Sequence, residues 1–237
     1  SRYAETPPRS AAALAKWIGA NPGRFSYPQS PDFTGTSFLK QIALELAPDR
    51  SVFMMPAETA DKDAALGPLW QWLETVHPDL WRGGTSYPAN YTEMVQLLGD
   101  GELSFAMAFN PAEFSNGIAS GVLPETVRSY IHQGGTLANV HFVAIPFNAS
   151  ASEAARVTAD FLLSPEAQLR KVRADIWGDP TVLAMHRLPQ DMQKAFTRVV
   201  RGPATLSEAE LGRTLPEPHP SWVAVIEEGW NRRFLLR

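Results

Sequence analysis

The patterning of this chain predicts an α/β fold with a mostly parallel sheet flanked by helices. Three observations carry that prediction. Residues 24–46 read as strand, loop and helix. Arg24-Phe25-Ser26-Tyr27 is a short β-prone run, and Pro28, Ser30, Pro31 and Asp32 make the loop. Thr34-Gly35-Thr36-Ser37 then opens a helix with Phe38, Leu39, Ile42, Ala43 and Leu46 at helical spacing. Leu103 to Phe109 (LSFAMAF) is a continuous apolar run with small residues between large ones, as in a sheet buried on both faces. Asn139 to Pro146 (NVHFVAIP) is a further strand pattern, and a helix pattern follows it. Strands that alternate with helices belong to this fold class.

The other elements follow in order. Glu5 to Arg9 is linker-like, and Ser10 caps a helix from Ala11 to Ile18 that ends near Gly19 and Asn21-Pro22-Gly23. Ser51 to Ala57 is an apolar run and Asp61 to Ala65 a polar one. Leu66 to Val76 reads as a helix stopped by His77-Pro78-Asp79, and Trp81 to Pro88 as a loop. Asn90 caps a helix to Leu98, with Glu93 placed as in a capping box. Asn110-Pro111-Ala112-Glu113 starts another helix, with Asn as cap. Thr126 to His132 is a further extended run. Ser152 caps Glu153 to Leu163, and Ser164-Pro165 caps Glu166 to Arg173. Gln190 to Val200 and Ser221 to Phe234 are the last helices. Trp70 and Trp72 read as core packing.

Composition narrows the function. With 237 residues, 44% hydrophobic and 19% charged, the chain is long enough for a real core and too apolar to be disordered. A net charge of -4 without a basic stripe argues against nucleic acid as a partner. The absence of cysteine excludes disulfides and thiolate metal sites. No run reaches about 18 apolar residues, so the sequence does not read as membrane-embedded. The chain opens at Ser1-Arg2-Tyr3 with neither Met nor a signal-peptide pattern, which reads as a processed or trimmed form. Phosphate-loop and nucleophile-elbow motifs are absent. The five histidines are scattered, and Asp61/Asp63 and Glu227/Glu228 sit in polar runs that read as solvated faces. No catalytic constellation can be assembled, and no cofactor is implied.

The chemistry concentrates at residues 32–37. A helix start presents backbone N–H groups without helical partners, backed by the positive end of the dipole. Gly35 lets a ligand approach that backbone, and Thr34, Thr36 and Ser37 add hydroxyls. Such a turn suits an anionic or polar ligand group. A capped helix with no ligand also explains Ser and Thr at this place.

Three segments carry a resemblance. They are Phe25-Ser26-Tyr27-Pro28 with Asp32 to Leu39, then Leu98-Gly99-Asp100-Gly101-Glu102-Leu103-Ser104-Phe105, then Phe142-Val143-Ala144-Ile145-Pro146 through to Phe161-Leu162-Leu163-Ser164-Pro165-Glu166-Ala167-Gln168. Together they resemble the family 1 extracellular solute-binding proteins, the periplasmic receptors of bacterial ABC importers. Gly178-Asp179-Pro180-Thr181-Val182-Leu183 is similar to the YnjB-like branch, which is associated with thiamine transport. The resemblance implies a type II periplasmic-binding-protein fold and a protein that is not an enzyme. It implies a small solute, thiamine-like or otherwise polar, held between two lobes, and an inner-membrane ABC permease as partner. The alternative is the ligand-sensing effector domain of a transcription regulator with the same fold.

The resemblance also implies that only part of one lobe is present, because the family's signal peptide and most of its first lobe have no counterpart here. Residues 12–140 and 189–237 would form the second lobe; 1–11 and 141–188 would be hinge segments and a remnant of the first, with an unsatisfied apolar face. Weak or absent solute binding would follow. Carried over residue by residue, the ligand set is Asp32, Thr34, Gly35, Thr36 and Ser37, with Asn110 at the end of LSFAMAF. Asn110 also serves as a cap, which needs no ligand. Tyr27 and Tyr87 are candidates for stacking on a planar or cationic ligand, and Asn90 for reaching the cleft. No adjacent tyrosine pair occurs, which disfavours iron.

Overall fold

Helix α2 (Phe33–Leu46) is the element around which the larger part of the chain is built. It packs on α1 (Ala11–Ala20), α3 (Lys62–Val76) and α10 (Ser221–Trp230), as well as on strand β1 (Thr136–Leu137). A computed structural model describes residues 6–138 and 140–235. The expected linker and hinge at residues 1–5, and the expected strand's first residue, Asn139, lie outside the described residues.

The chain divides into two compact units. One comprises Ser1–Ala108, Tyr130–Ala138 and Ser207–Arg237, and the other Phe109–Ser129 and Asn139–Leu206. These bounds group 109–129 and 189–206 with 139–188.

In the first unit the α-helices up to residue 99 begin where side chains answer the orphan amides, whereas α10 follows Pro220 without a side-chain cap. Ser10 Oγ accepts from Ala13 N at 3.1 Å, and Asn90 Oδ1 from Glu93 N at 3.0 Å at the start of α4 (Tyr91–Gly99). Asp61 Oδ1 accepts from Asp63 N and Ala64 N, so α3 starts four residues before the apolar pattern at Leu66 announces it. Leu14, Ile18, Leu39, Ile42, Leu69 and Leu73 supply the aliphatic core. Trp222 and Trp230 of α10 are wholly buried, and Trp70 and Trp72 lie in the core as the sequence suggests. Helix α9 (Glu208–Leu211) is a single short turn, and the last helix, α10, gives way at Asn231 to a π-helical turn, Asn231–Leu235.

The sheet is the main correction. Among the described residues it has two strands only, β1 and β2 (Thr214–Leu215), parallel and in register Thr136↔Thr214 and Leu137↔Leu215. The expected strands at 24–27, 103–109, 126–132 and 140–146 are not strands. An extended run becomes a strand when a neighbour answers its N–H and C=O groups repeatedly. These runs meet isolated bonds instead. Arg24 O accepts from Ser104 N at 2.9 Å, and Phe25 O from Trp81 N at 2.8 Å. The chain is therefore mostly helical. Gln41 of α2 stands in for a further strand at the edge of β1: its Nε2 donates to Gly135 O at 3.0 Å and its Oε1 accepts from Leu137 N at 2.9 Å.

The second unit holds α5 (Glu113–Ala119), α6 (Ser152–Leu162), α7 (Pro165–Lys171) and α8 (Gln190–Thr197). Ser152 is the first helical residue and not the cap expected of it; Ala151 holds the cap position without a side-chain bond. Ser164 does cap α7, accepting from Ala167 N at 3.2 Å. Gln168 is the joint of this unit. Its Nε2 donates to Leu162 O at the end of α6, and its Oε1 accepts from Thr181 Oγ1 and Val182 N. The run FLLSPEAQ thus ends on a residue that ties α6, α7 and residues 181–182 together. The apolar core is thin here. No residue of α6 is buried, and Phe142 and Phe147 are 89% and 103% exposed.

Candidate functional site

The loop from Pro28 to Asp32 folds over the first turn of α2. Asp32 is the N-cap, and its Oδ1 accepts from Thr34 N at 2.8 Å and Gly35 N at 3.1 Å. A Cβ on Gly35 would lie 1.9 Å from Pro28 O. Glycine is required here by close approach of the chain's own loop, where the sequence suggested close approach of a ligand.

The first two turns of α2 bury an unusual amount of polar surface. Thr34, Thr36, Ser37 and Lys40 are each at most 6% exposed, and Ser30 of the loop is 2% exposed. Thr36 Oγ1 donates to Glu227 Oε1 at 2.8 Å. Lys40 Nζ donates to Glu217 Oε2 at 2.6 Å. The hydroxyls of Ser30 and Ser37 are buried without a hydrogen-bond partner among the described residues. Buried polar groups left unpaired are rare and costly, and two of them lie at this one helix start.

Behind α2 stands an aromatic cluster. Tyr27 is fully buried and packs on Phe38 at a centroid distance of 4.8 Å and on Tyr87 at 5.4 Å. Trp230 Nε1 donates to Tyr27 Oη at 3.0 Å, and Tyr87 Oη shares a hydrogen bond with His77 Nδ1 at 2.9 Å. Burial, with Tyr87 close by, holds the Tyr27 phenol well above its ordinary pKa. The two tyrosines back α2 from inside the core, whereas the sequence suggested rings open to a ligand.

The remaining candidates lie elsewhere. Asn90 is exposed and serves as the cap of α4. Asn110 lies in the second unit; its Oδ1 accepts from Ala112 N and its Nδ2 donates to Trp177 O. It therefore precedes α5 in a turn and does not cap the helix, which starts at Glu113. The second unit also contains a cleft of about 710 Å³ among α5, α7 and α8, with Ile118, Leu169 and Val199 in its walls. None of the expected ligand residues lines it.

Sequence reasoning missed Ser30, Lys40, Glu217 and Glu227. Glu227 was expected on a solvated face, yet it is half-buried against Thr36. A signal did exist for Lys40. It falls four residues after Thr36 and three after Ser37, on the polar side of a helix that the apolar pattern places in the core. Among the described residues, no group of three His, Asp or Glu side chains is placed to hold a metal ion. No helix among them is long and apolar enough to cross a membrane.

Comparison with known proteins bears on the same chain. No solved structure matches it. Protein YnjB of Escherichia coli (strain K12) is 42% identical over 228 residues, which cover 96% of this chain and 57% of YnjB. The chain thus spans little more than half the length of that relative. Residues 1–196 match the model of the bacterial extracellular solute-binding proteins, whose work is binding and not catalysis. On that match over most of its length, the chain belongs to the bacterial extracellular solute-binding protein family.

Proposed function

We propose that this chain is the receptor component of a bacterial ABC importer, working in the periplasm, and that it takes up a small polar solute at the opening of α2 for delivery to an inner-membrane permease. Family membership supports the receptor role. The observation that carries the site is the pair of buried, unpartnered hydroxyls on Ser30 and Ser37, at the start of the helix around which the first unit is built. In this reading Asp32, Thr34, Gly35, Thr36 and Ser37 shape the site, and Tyr27 and Tyr87 stiffen it from behind. A thiamine-like compound is within the class of solutes the reading admits. The test is native mass spectrometry of the purified chain, before and after incubation with a bacterial small-molecule extract. The chain spans 57% of its relative YnjB, so weak binding is expected: a small-molecule adduct of defined mass on part of the population. A bare chain under both conditions would overturn the placement of the site at the opening of α2.

A further inference from the structure

Helix α6 lies on its unit by small residues and turns its large ones outward. Ser152, Ala155 and Ala159 are half-buried, whereas Val157 at the middle of the helix is 70% exposed and Phe161, one turn on, is 61% exposed. Ala154, also exposed, falls on the same stripe at helical spacing. Glu153, Arg156 and Asp160 run along one edge of that stripe, all three exposed. Arg156 lies 3.8 Å from Glu153 with both side chains mostly in solvent, and Asp160 has no ion pair among the described residues. The wider setting is apolar too. All the exposed large apolar side chains among the described residues, except Phe33, Met55 and Leu235, belong to the second unit. Apolar surface on that scale marks a place where something docks.

We infer that the outward face of α6 docks a second copy of this chain, the two α6 helices lying antiparallel about a twofold axis at Thr158. The charge pattern argues for this occupant, because it is complementary to itself. In a twofold antiparallel pair each residue meets the one equally far beyond the axis, and the same edges of the two helices lie together. Arg156 then meets Asp160 of the second copy, and Asp160 meets Arg156 of the second copy. The Phe161 ring of each copy falls toward the small Ala154 and Ala155 of the other, and Val157 packs at the centre. A parallel pair would set Arg156 against Arg156 and Asp160 against Asp160, which like-charge repulsion disfavours. The inference is independent of the solute site at α2.

The test is analytical ultracentrifugation of the whole chain over a concentration series, with charge-swapped variants. The expected result is a monomer–dimer equilibrium. Arg156→Asp and Asp160→Arg each place like charges across the axis and should each raise the dimer Kd by about tenfold or more. Mixing the two single variants in equal amounts should restore the dimer, because one copy then carries two acids and the other two arginines at these positions. The double variant, Arg156→Asp with Asp160→Arg, should also recover it, a rescue that a folding defect would not give. A monomer throughout the series would overturn the inference. So would an open-ended aggregate, which a closed twofold contact does not produce. A dimer that the single variants do not weaken, or that neither the mixture nor the double variant restores, would overturn the placement of the axis on α6.

Discussion

Two residues at the opening of α2 separate packing from binding. Gly35 is a packing residue. Gly35→Ala would drive a methyl group into the Pro28 carbonyl, and backbone cannot rotate out of the way as a side chain can. The expected cost is at least about 3 kcal/mol, read as a fall in the denaturation midpoint; an unchanged midpoint would show that the loop does not lie over the helix as described. Ser37 is the opposite case. Its hydroxyl is buried without a partner among the described residues, so Ser37→Ala removes an unpaired polar group and costs the solute-free chain little, within about 1 kcal/mol. The same variant should take less of the adduct seen by native mass spectrometry. A large loss of stability with unchanged binding would make Ser37 structural. Gly35 and Ser37 were both visible in the sequence, but their roles were not, because the role depends on what the folded loop brings against each.

Helices were legible because their starting signals are local. Ser10, Asn90 and Ser164 act as the caps their positions announce, and the apolar stripe of α2 is buried at Phe38, Leu39, Ile42 and Ala43, with Leu46 half-buried at its end. Strands were not legible in the same way. LSFAMAF has the composition of a buried strand, yet its residues after Leu103 are half-buried and find no ladder. Strand identity depends on a partner, which lies far along the chain and outside any local pattern. Element-scale packing also gives the most specific motif its physical meaning. In FLLSPEAQ, Gln168 bonds the end of α6 and the segment at 181–182 through one amide. Gln168→Leu keeps the volume and frees the Leu162 carbonyl and the Val182 amide. Limited proteolysis should then cut the chain faster between Val172 and Leu183, with a loss of about 1–3 kcal/mol in stability. An unchanged digestion pattern would contradict the role given to Gln168.

At the scale of the whole molecule, distant parts of the first unit also meet at a half-buried pair. Glu45 of α2 accepts from Ala11 N at 2.6 Å and lies 2.6 Å from His132 Nδ1. Burial pushes the Glu45 carboxyl up, and the bonds from His132 and the Ala11 amide more than offset it, so its pKa falls below the ordinary 4.5. A depressed carboxyl pKa contributes stability above the unfolded value and loses it as pH falls through the folded one. The chain should therefore lose some stability as pH falls below about 4.5, and Glu45→Gln should flatten that part of the profile. Parallel profiles for the two proteins would contradict the assignment. The carboxylates of the α2 opening belong to the same unit, and the unpartnered hydroxyls beside them carry the central claim.

That claim is tested most directly by hydrogen–deuterium exchange of the chain with and without the solute that stabilises it. The account predicts slowed exchange at residues 30–37, at the loop and first turn of α2. Protection confined to the cleft residues of the second unit, at 115–119 and 198–203, would contradict it.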